Sequence, residues 1–466
     1  MDRIRDLFRQ KDVREEYSPI IEDDNPMEGT ALLEDDGEGV PFSWFEYSIF
    51  ALLGMAMLWA WNMFLAAAPY FQLRFQSDVW ITQNFQSAIL TVSTITNLGA
   101  MLVLTNMQAA ASYPFRINLA LTINVVIFML LTASTSIFLD ASPALYLTFL
   151  LTMVAATALA AGLIQNGAFA FAASFSRPEY MQALMAGQGV AGVLPPLAQI
   201  IIVLAVPEDA AGGTRRDGDT SDPASGSSSS SAFIYFLTAV IVSLVALGAF
   251  IPLVRRHNQI VDSRDARDMS ASHASISTVG GHPRKTVSPL TLLGKLHWLS
   301  AAVALCFAVS MFFPVFTGKI LSVRTTDDDA AGSGSLFRPA AFIPLAFFVW
   351  NAGDLAGRMA TALPFSLRGR PPLLLALAVA RLVWLPLYLL CNVNGRGAVV
   401  ASDLFYLVVV QFPFGLTNGW LGASCMMAGS EWVDEGEREV AGGFMGLCLV
   451  TGLTVGSILS FTVAGI

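Results

Sequence analysis

Phe347-Phe348-Val349-Trp350-Asn351-Ala352-Gly353-Asp354-Leu355-Ala356-Gly357-Arg358 lies inside an apolar run from about Phe342 to Leu363, long enough to cross a bilayer. An acid and a guanidinium sit near the middle of that run, where each costs roughly 2.5–3.5 kcal/mol on insertion scales. Asp354 and Arg358 are spaced i, i+4, so they share a helical face and can pair. Asn351 joins that face. Lipid cannot solvate such a stripe, so it must meet other helices or a water-filled passage. Two readings follow: an ion pair that locks helices together, and a solute site at the midplane. The third polar residue favours the site, because a pair alone would suffice for a lock.

Working outward, the rest of the chain reads as membrane. Of 466 residues, 55% are apolar and 13% charged. That is too hydrophobic for a soluble protein of this length, and repeated apolar runs of about 20 residues indicate helical spans. A transmembrane barrel is excluded, since its strands alternate and run to about ten residues. The net charge of −9 is no nucleic-acid signature. Cys306, Cys391, Cys425 and Cys448 all fall in apolar runs without metal or disulfide spacing, and read as small packing residues. The four histidines lie in one polar loop or at its edge. No nucleophile–base set or metal cluster occurs in the spans, so an enzyme is not expected, nor a cofactor. No cleavable signal peptide is expected, since the first forty or so residues are polar, and the sequence has no N-x-S/T sequon.

Residues 1–43 are charged and expected to be a disordered cytosolic tail. Glu28-Gly29-Thr30-Ala31-Leu32-Leu33 has the form of an acidic dileucine signal, an address read by a coat adaptor through Glu28, Leu32 and Leu33. Six spans are expected near 44–71, 82–107, 115–139, 144–172, 180–206 and 232–254. Residues 207–231, with a serine run, read as flexible, and 255–294 as a polar cytosolic loop. Five more spans are expected near 296–318, 339–363, 371–393, 404–430 and 440–465. Gly187-Gln188-Gly189-Val190-Ala191-Gly192 matches G-x-G-x-x-G, but the dinucleotide reading needs a βαβ unit. In a membrane helix, small residues serve close helix approach, and Pro195-Pro196 should kink the span. Pro314, Pro344, Pro386 and Pro413 offer further places to bend. Counting Lys and Arg in alternate loops gives 17 on the side of the N-terminal tail and 7 on the other, which makes the tail and the 255–294 loop cytosolic. Arg381, within span nine, has no obvious partner nearby in sequence; it is expected to reach the cytosolic half or to pair with an acid from another span, in a structural or gating role.

Taken in order, several stretches resemble the equilibrative nucleoside transporters. Leu53-Gly54…Trp61-Asn62-Met63-Phe64 is similar to that family's first span, and Tyr180…Met185-x-Gly187-Gln188-Gly189-x-Ala191-Gly192 to its fifth. Asn351-x-x-Asp354-x-x-Gly357-Arg358 is similar to its eighth, and Ala380-Arg381-Leu382-Val383…Pro386…Leu390-Cys391-Asn392 to its ninth. Thr417-Asn418-Gly419-Trp420-Leu421 and Ala441-Gly442…Gly452-Leu453…Gly456…Ser460-Phe461 resemble the last two. Departures are Ala60 where the family often has Pro, Leu355 where Trp is frequent, and Leu65 where Met is common.

The resemblance implies an all-α polytopic membrane protein with 11 transmembrane helices in a 6+5 major-facilitator-like arrangement, and facilitative nucleoside transport by alternating access. It implies roles for particular residues. Asp354 accepts from ribose hydroxyls and Arg358 donates to them, while Asn351 supports the stripe. Gln165 meets the base edge, and Trp61, Leu65 and Leu453 form an apolar wall. Without the resemblance Gln165 reads as glue between helices and Trp61 as packing. Asp354, held by its arginine, is a poor proton carrier, so uncoupled transport is expected. The alternative is a carrier of nucleobases or another small polar solute on the same fold, possibly proton-coupled. The dileucine motif and the lack of sequons favour a vacuolar or lysosomal membrane over the plasma membrane.

Overall fold

The computed structural model describes residues 42–107, 112–137, 141–205, 223–272, 287–324 and 334–463. From Phe42 onward the chain is one compact unit. Ten helical segments among the described residues are long and apolar enough to cross a membrane. They are Trp44–Arg74 (span 1), Val79–Asn106 (span 2), Tyr113–Ile137 (span 3), Pro143–Ser174 (span 4), Pro178–Leu204 (span 5), Ser229–Gln259 (span 6), Pro289–Thr317 (span 7), Pro339–Ala360 (span 8), Pro371–Tyr388 (span 9) and Glu435–Ser460 (span 11). Span 10 makes the eleventh: a π-helical stretch, Phe405–Gln411, runs into the α-helix Phe412–Glu431. Pro413, at the junction, has no N–H for the α ladder, and the wider register sits just before it.

Proline also sets where helices begin. Spans 4, 5, 7, 8 and 9 each open on Pro, whose fixed φ suits the first helical position and whose missing N–H costs nothing there. Ser142 and Ser288 cap two of these, accepting from the Leu145 and Leu290 amides, and Asp78 caps span 2 by accepting from Ile81. Inside the spans, proline acts unevenly. Span 7 is interrupted at Met311, and span 9 at the 3-10 turn Arg381–Val383. The helices run on through Pro344 and through Pro195-Pro196.

Two sequence expectations are corrected. The helix of span 6 runs from Pro223 to Ser272. It takes in the serine run expected to be flexible and the first part of the loop expected at 255–294. No Gly or Pro follows Pro252 until Gly280, so nothing in the chain stops the helix at the membrane surface. The other correction concerns depth. Arg358 lies in the last turn of its helix, which ends at Ala360, so the Asp354–Arg358 pair belongs to one end of span 8 and not to its middle. The dileucine motif lies outside the described residues.

Alternation of the spans assigns the ends. The end where span 1 starts, called inner below, also holds Glu46, Tyr180, Arg256, Lys295, Glu431 and Arg438. Contacts knit it together. Glu46 binds Arg256 at 2.9 Å and accepts from the Tyr180 hydroxyl, and Lys295 binds Glu437 at 2.6 Å. The outer end is tied by Asp403, which accepts from the Ser322 hydroxyl (2.6 Å) and the Val323 amide (2.9 Å). Spans 1–6 pack among themselves, as do spans 7–11. The two groups meet chiefly where span 5 lies on span 8 and span 11 lies on span 4.

Candidate functional site

Between the two groups lies a cavity of about 330 Å³, in the lower part of the range of small-molecule sites. Met57, Trp61 and Phe64 of span 1 face Met311 and Pro314 of span 7 and Val450 and Leu453 of span 11 across it. Span 4 contributes Val154, Thr157, Ala158, Ala161 and Gln165, at helical spacing that turns one face inward. Asn97 of span 2 and Asn124 of span 3 complete that side. Among the described residues the lining carries no ionised side chain. The cavity therefore suits a neutral solute with a flat apolar face and hydrogen-bonding edges.

Three of the sequence-derived site residues, Trp61, Gln165 and Leu453, meet on this cavity. Four do not line it. Leu65 is 56% exposed on the surface of span 1, one position beyond the inward face that Trp61 and Phe64 occupy. Asn351 donates back to the Phe347 carbonyl of its own helix (2.8 Å) and packs against Gly192 of span 5. Asp354 and Arg358 are each only 4% exposed. Their expected place beside a watery passage is not what this conformation shows.

The pair is instead sealed into the seam between span 5 and span 8. Arg358 Nε donates to Asp354 Oδ2 at 2.7 Å, and Nη1 reaches across to the Met185 carbonyl (2.7 Å) and Gln188 Oε1 (3.0 Å). Asn418 of span 10 donates to Asp354 Oδ1 at 2.7 Å. Gln182 donates to the Arg358 and Met359 carbonyls, both at 3.3 Å. Such a buried pair needs its remaining bonds satisfied to repay desolvation, and here both carboxylate oxygens are engaged. The cavity lies one layer away. Gln188 Nε2 rests 3.5 Å from the sulfur of Met57, which lines it.

Glycines let these backbones touch. A Cβ on Gly353 or Gly357 of span 8 would collide with the backbone of span 10, and one on Gly415 or Gly419 would collide with that of span 8. The G-x-G-x-x-G stretch does the work expected of small residues. Gly187 abuts the Ala51 carbonyl of span 1, and Gly189 abuts Leu355 and Arg358. At the second inner seam, Gly442 of span 11 lies against the Phe169 carbonyl of span 4. Arg438 donates to Ser176 at 2.6 Å across the same seam.

Sequence reasoning missed several partners. Gln188 and Asn418 stood in the family-like stretches without assigned roles. Arg381 is 3% exposed and, among the described residues, feels the charge of Asp354 without a direct bond to it. It donates to the Cys306 carbonyl at 2.6 Å, lies 3.0 Å from the Cys306 sulfur, and stacks over Phe414 at 5.0 Å. Cys306 is thus a polar junction, since its thiol also meets Asn418 Oδ1 at 3.4 Å. Asn97, Asn124 and Thr157 were missed as cavity residues; their signal was a polar side chain inside an apolar run.

Comparison with known proteins agrees with this architecture. The chain is 27% identical over 449 residues to the nucleoside transporter FUN26 of Saccharomyces cerevisiae, covering 89% of this chain and 83% of that protein. It is 27% identical over 460 residues to the human equilibrative nucleoside transporter 1, covering 89% and 95%. Among solved structures, the major facilitator proton:xylose symporter XylE superposes with a TM-score of 0.56 at 12% identity, over 89% of this chain and 87% of that one. FucP, a major facilitator transporter in the outward conformation, gives 0.52 at 13%, over 89% and 91%. These two share the fold. Residues 151–464 match the family described as nucleoside transporter, and with eleven helices in a major-facilitator-like arrangement the chain belongs to the nucleoside transporter family.

Proposed function

We propose that this integral membrane protein carries nucleosides by alternating access, and that the cavity is the nucleoside site of the inner-closed state. The observation that carries the reading is the meeting of Trp61, Gln165 and Leu453 on one uncharged cavity between the two groups of spans. Trp61 offers a π-face to a base, Gln165 an amide to the base edge, and Leu453 an apolar wall. A nucleotide is disfavoured, since its phosphate would enter without a countercharge.

The Asp354–Arg358 pair belongs to the gate in this proposal. It holds spans 5 and 8 together while the inner end is shut. When the seam parts, Arg358 loses Met185 and Gln188 and faces the opening passage. Ribose hydroxyls and water then take their place. Substrate biases the two states only through its differential affinity for them. We assign the vacuolar or lysosomal membrane from the dileucine motif. Leu32→Ala with Leu33→Ala tests that address by microscopy, the expected result being relocation to the plasma membrane.

The test of the site is binding of uridine and adenosine to purified protein by thermal shift, paired with Gln165→Leu. Losing a hydrogen bond to the base is expected to weaken both nucleosides about tenfold. The melting temperature without ligand should hold or rise, because Gln165 Oε1 is buried without a protein partner. Unchanged affinity in Gln165→Leu refutes the cavity as the site. Competition by bases, sugars and amino acids identifies any other solute class.

A further inference from the structure

Arg358 and Arg381 are both buried in the group of spans 7–11, and both act on Asp354, but only Arg358 touches it. Arg381 stands on the 3-10 turn that interrupts span 9. Its Nη2 is buried without a hydrogen-bond partner. An apolar side chain would fill that place at lower cost, because a buried guanidinium repays its desolvation only through its bonds. What the rest of Arg381 bonds to therefore explains its presence.

Those bonds form a line towards Asp354. Arg381 Nη1 donates to the Cys306 carbonyl of span 7 at 2.6 Å and lies 3.0 Å from the Cys306 sulfur. The sulfur lies 3.4 Å from Asn418 Oδ1 and 3.7 Å from the Asn418 carbonyl on span 10. Asn418 Nδ2 donates to Asp354 Oδ1 at 2.7 Å. The two ends fix the direction. A guanidinium only donates and a carboxylate only accepts, whereas a thiol and an amide do both. Because Asn418 gives an N–H to Asp354, its oxygens are left to accept. The Cys306 proton then points to Asn418, and the sulfur accepts from Arg381. Every link donates towards the acid, and bonds aligned in this way strengthen one another. Arg381 Nε is held besides by the Thr417 hydroxyl, the neighbour of Asn418, at 3.4 Å.

We infer that Arg381 is a positioning residue for the inner gate: through Cys306 and Asn418 it fixes Asp354 to spans 7, 9 and 10, so that the seam parts at span 5 and not within the group of spans 7–11. The line is enclosed in its own group, with Cys306 fully buried and Asn418 2% exposed. The bonds from Arg358 to Met185 and Gln188 are the ones that cross to span 5, and water can replace them as the passage opens. Asp354 then keeps its place and its hold on Arg358 through the change. Arg381, Cys306 and Asn418 do not line the cavity, so the line acts on the movement and not on affinity. The inference rests on the alternating-access transport proposed above.

The experiment measures KM and kcat of uridine uptake, per folded transporter in the membrane, for Cys306→Ala, Cys306→Ser, Arg381→Met and the double variant Arg381→Met with Cys306→Ala. Serine still accepts from Arg381 and donates to Asn418, whereas alanine breaks the line. Cys306→Ala should lower kcat about tenfold, the worth of one or two lost hydrogen bonds, and leave KM within about twofold. Cys306→Ser should restore most of that loss. Arg381→Met should lower kcat at least as far, and the double variant little further, because the two residues share one line. Cys391→Ala is the control. It removes another buried thiol of the same group, one that donates back to the Leu387 carbonyl of its own helix at 3.6 Å, and should leave kcat within about twofold. Full kcat in Cys306→Ala, an equal loss in Cys306→Ser or Cys391→Ala, additive losses in the double variant, or a rise in KM in place of the fall in kcat overturns the inference. Should Arg381→Met fail to fold, the cysteine variants decide alone. Absence of saturable nucleoside uptake by the wild type overturns the transport reading instead.

Discussion

The cavity wall and the inner seam are both made of buried polar side chains, and they are completed differently. In the seam every strong group is answered by protein. Arg358 reaches Asp354, Met185 and Gln188, and Asp354 is also held by Asn418. A second knot in spans 7–11 is equally saturated. Gln411, fully buried, donates to Thr317 (2.8 Å) and Tyr406 (2.7 Å) and accepts from Tyr388 (2.7 Å). Among the residues of the wall, Asn97, Asn124, Thr157 and Gln165 each keep a buried side-chain oxygen without a protein partner. A satisfied network specifies a packing; an unsatisfied one specifies a missing neighbour. The most conspicuous residues in the sequence, the acid and the guanidinium, fall in the first class, and the neutral amides fall in the second.

The sharpest way to break this contrast is to force the seam open. Gly357 touches the Leu416 carbonyl and the Trp420 amide nitrogen of span 10, so Gly357→Val cannot be housed without separating two backbones. Overpacking alone costs roughly 1–3 kcal/mol, and here it also displaces Asp354 and Arg358 from their partners. Loss of folded protein on size-exclusion chromatography is expected. The contrasting change, Gly99→Ala, meets nothing within 4 Å and should be silent. Normal accumulation of Gly357→Val would mean that the seam is looser than described.

Next in size is removal of one member of the pair. Asp354→Ala or Arg358→Ala leaves a buried charge uncompensated, at about 3–5 kcal/mol. Uptake should fall to background because the weakened inner seam no longer lets the carrier cycle, while the inner-closed state and its cavity still form. Nucleoside should still raise the melting temperature, since neither residue lines the cavity. If the thermal shift vanishes together with uptake, the two residues touch substrate in the state seen, and the division into gate and wall fails.

Much of this was legible in the chain. Span positions follow from apolar length. The pairing of Asp354 with Arg358 follows from i, i+4 spacing, and the role of the Gly187 stretch from small residues in a membrane helix. Depth was not legible. An apolar run from Phe342 to Leu363 does not reveal that the helix ends at Ala360, and that boundary moves the pair from the midplane to the inner end. Span 6 misled in the opposite direction, because polarity marks the membrane surface and not the end of a helix. The wall was hidden for another reason. Asn97, Asn124 and Thr157 stand on three different spans, and only tertiary packing brings them to one cavity.

The smallest expected effect lies at the rim of the second inner seam. Ser176 adopts φ 56°, a left-handed conformation that costs a serine of order 1 kcal/mol, and its hydroxyl accepts from Arg438 of the opposite group at 2.6 Å. The contact is exposed, so its net value is within about 1 kcal/mol. Arg438→Ala should therefore change uptake less than twofold while Asp354→Ala abolishes it. Ser176→Gly removes the hydroxyl and relieves the backbone at once. If the latch matters more than the strain, Ser176→Gly will copy Arg438→Ala in uptake; if the strain matters more, it will melt higher than wild type. The two variants share the lost bond, but Arg438→Ala also gives up a loose ion pair with Glu435 at 3.8 Å, so the gap between their melting temperatures sets the relieved turn against that exposed pair, itself worth at most about 1 kcal/mol.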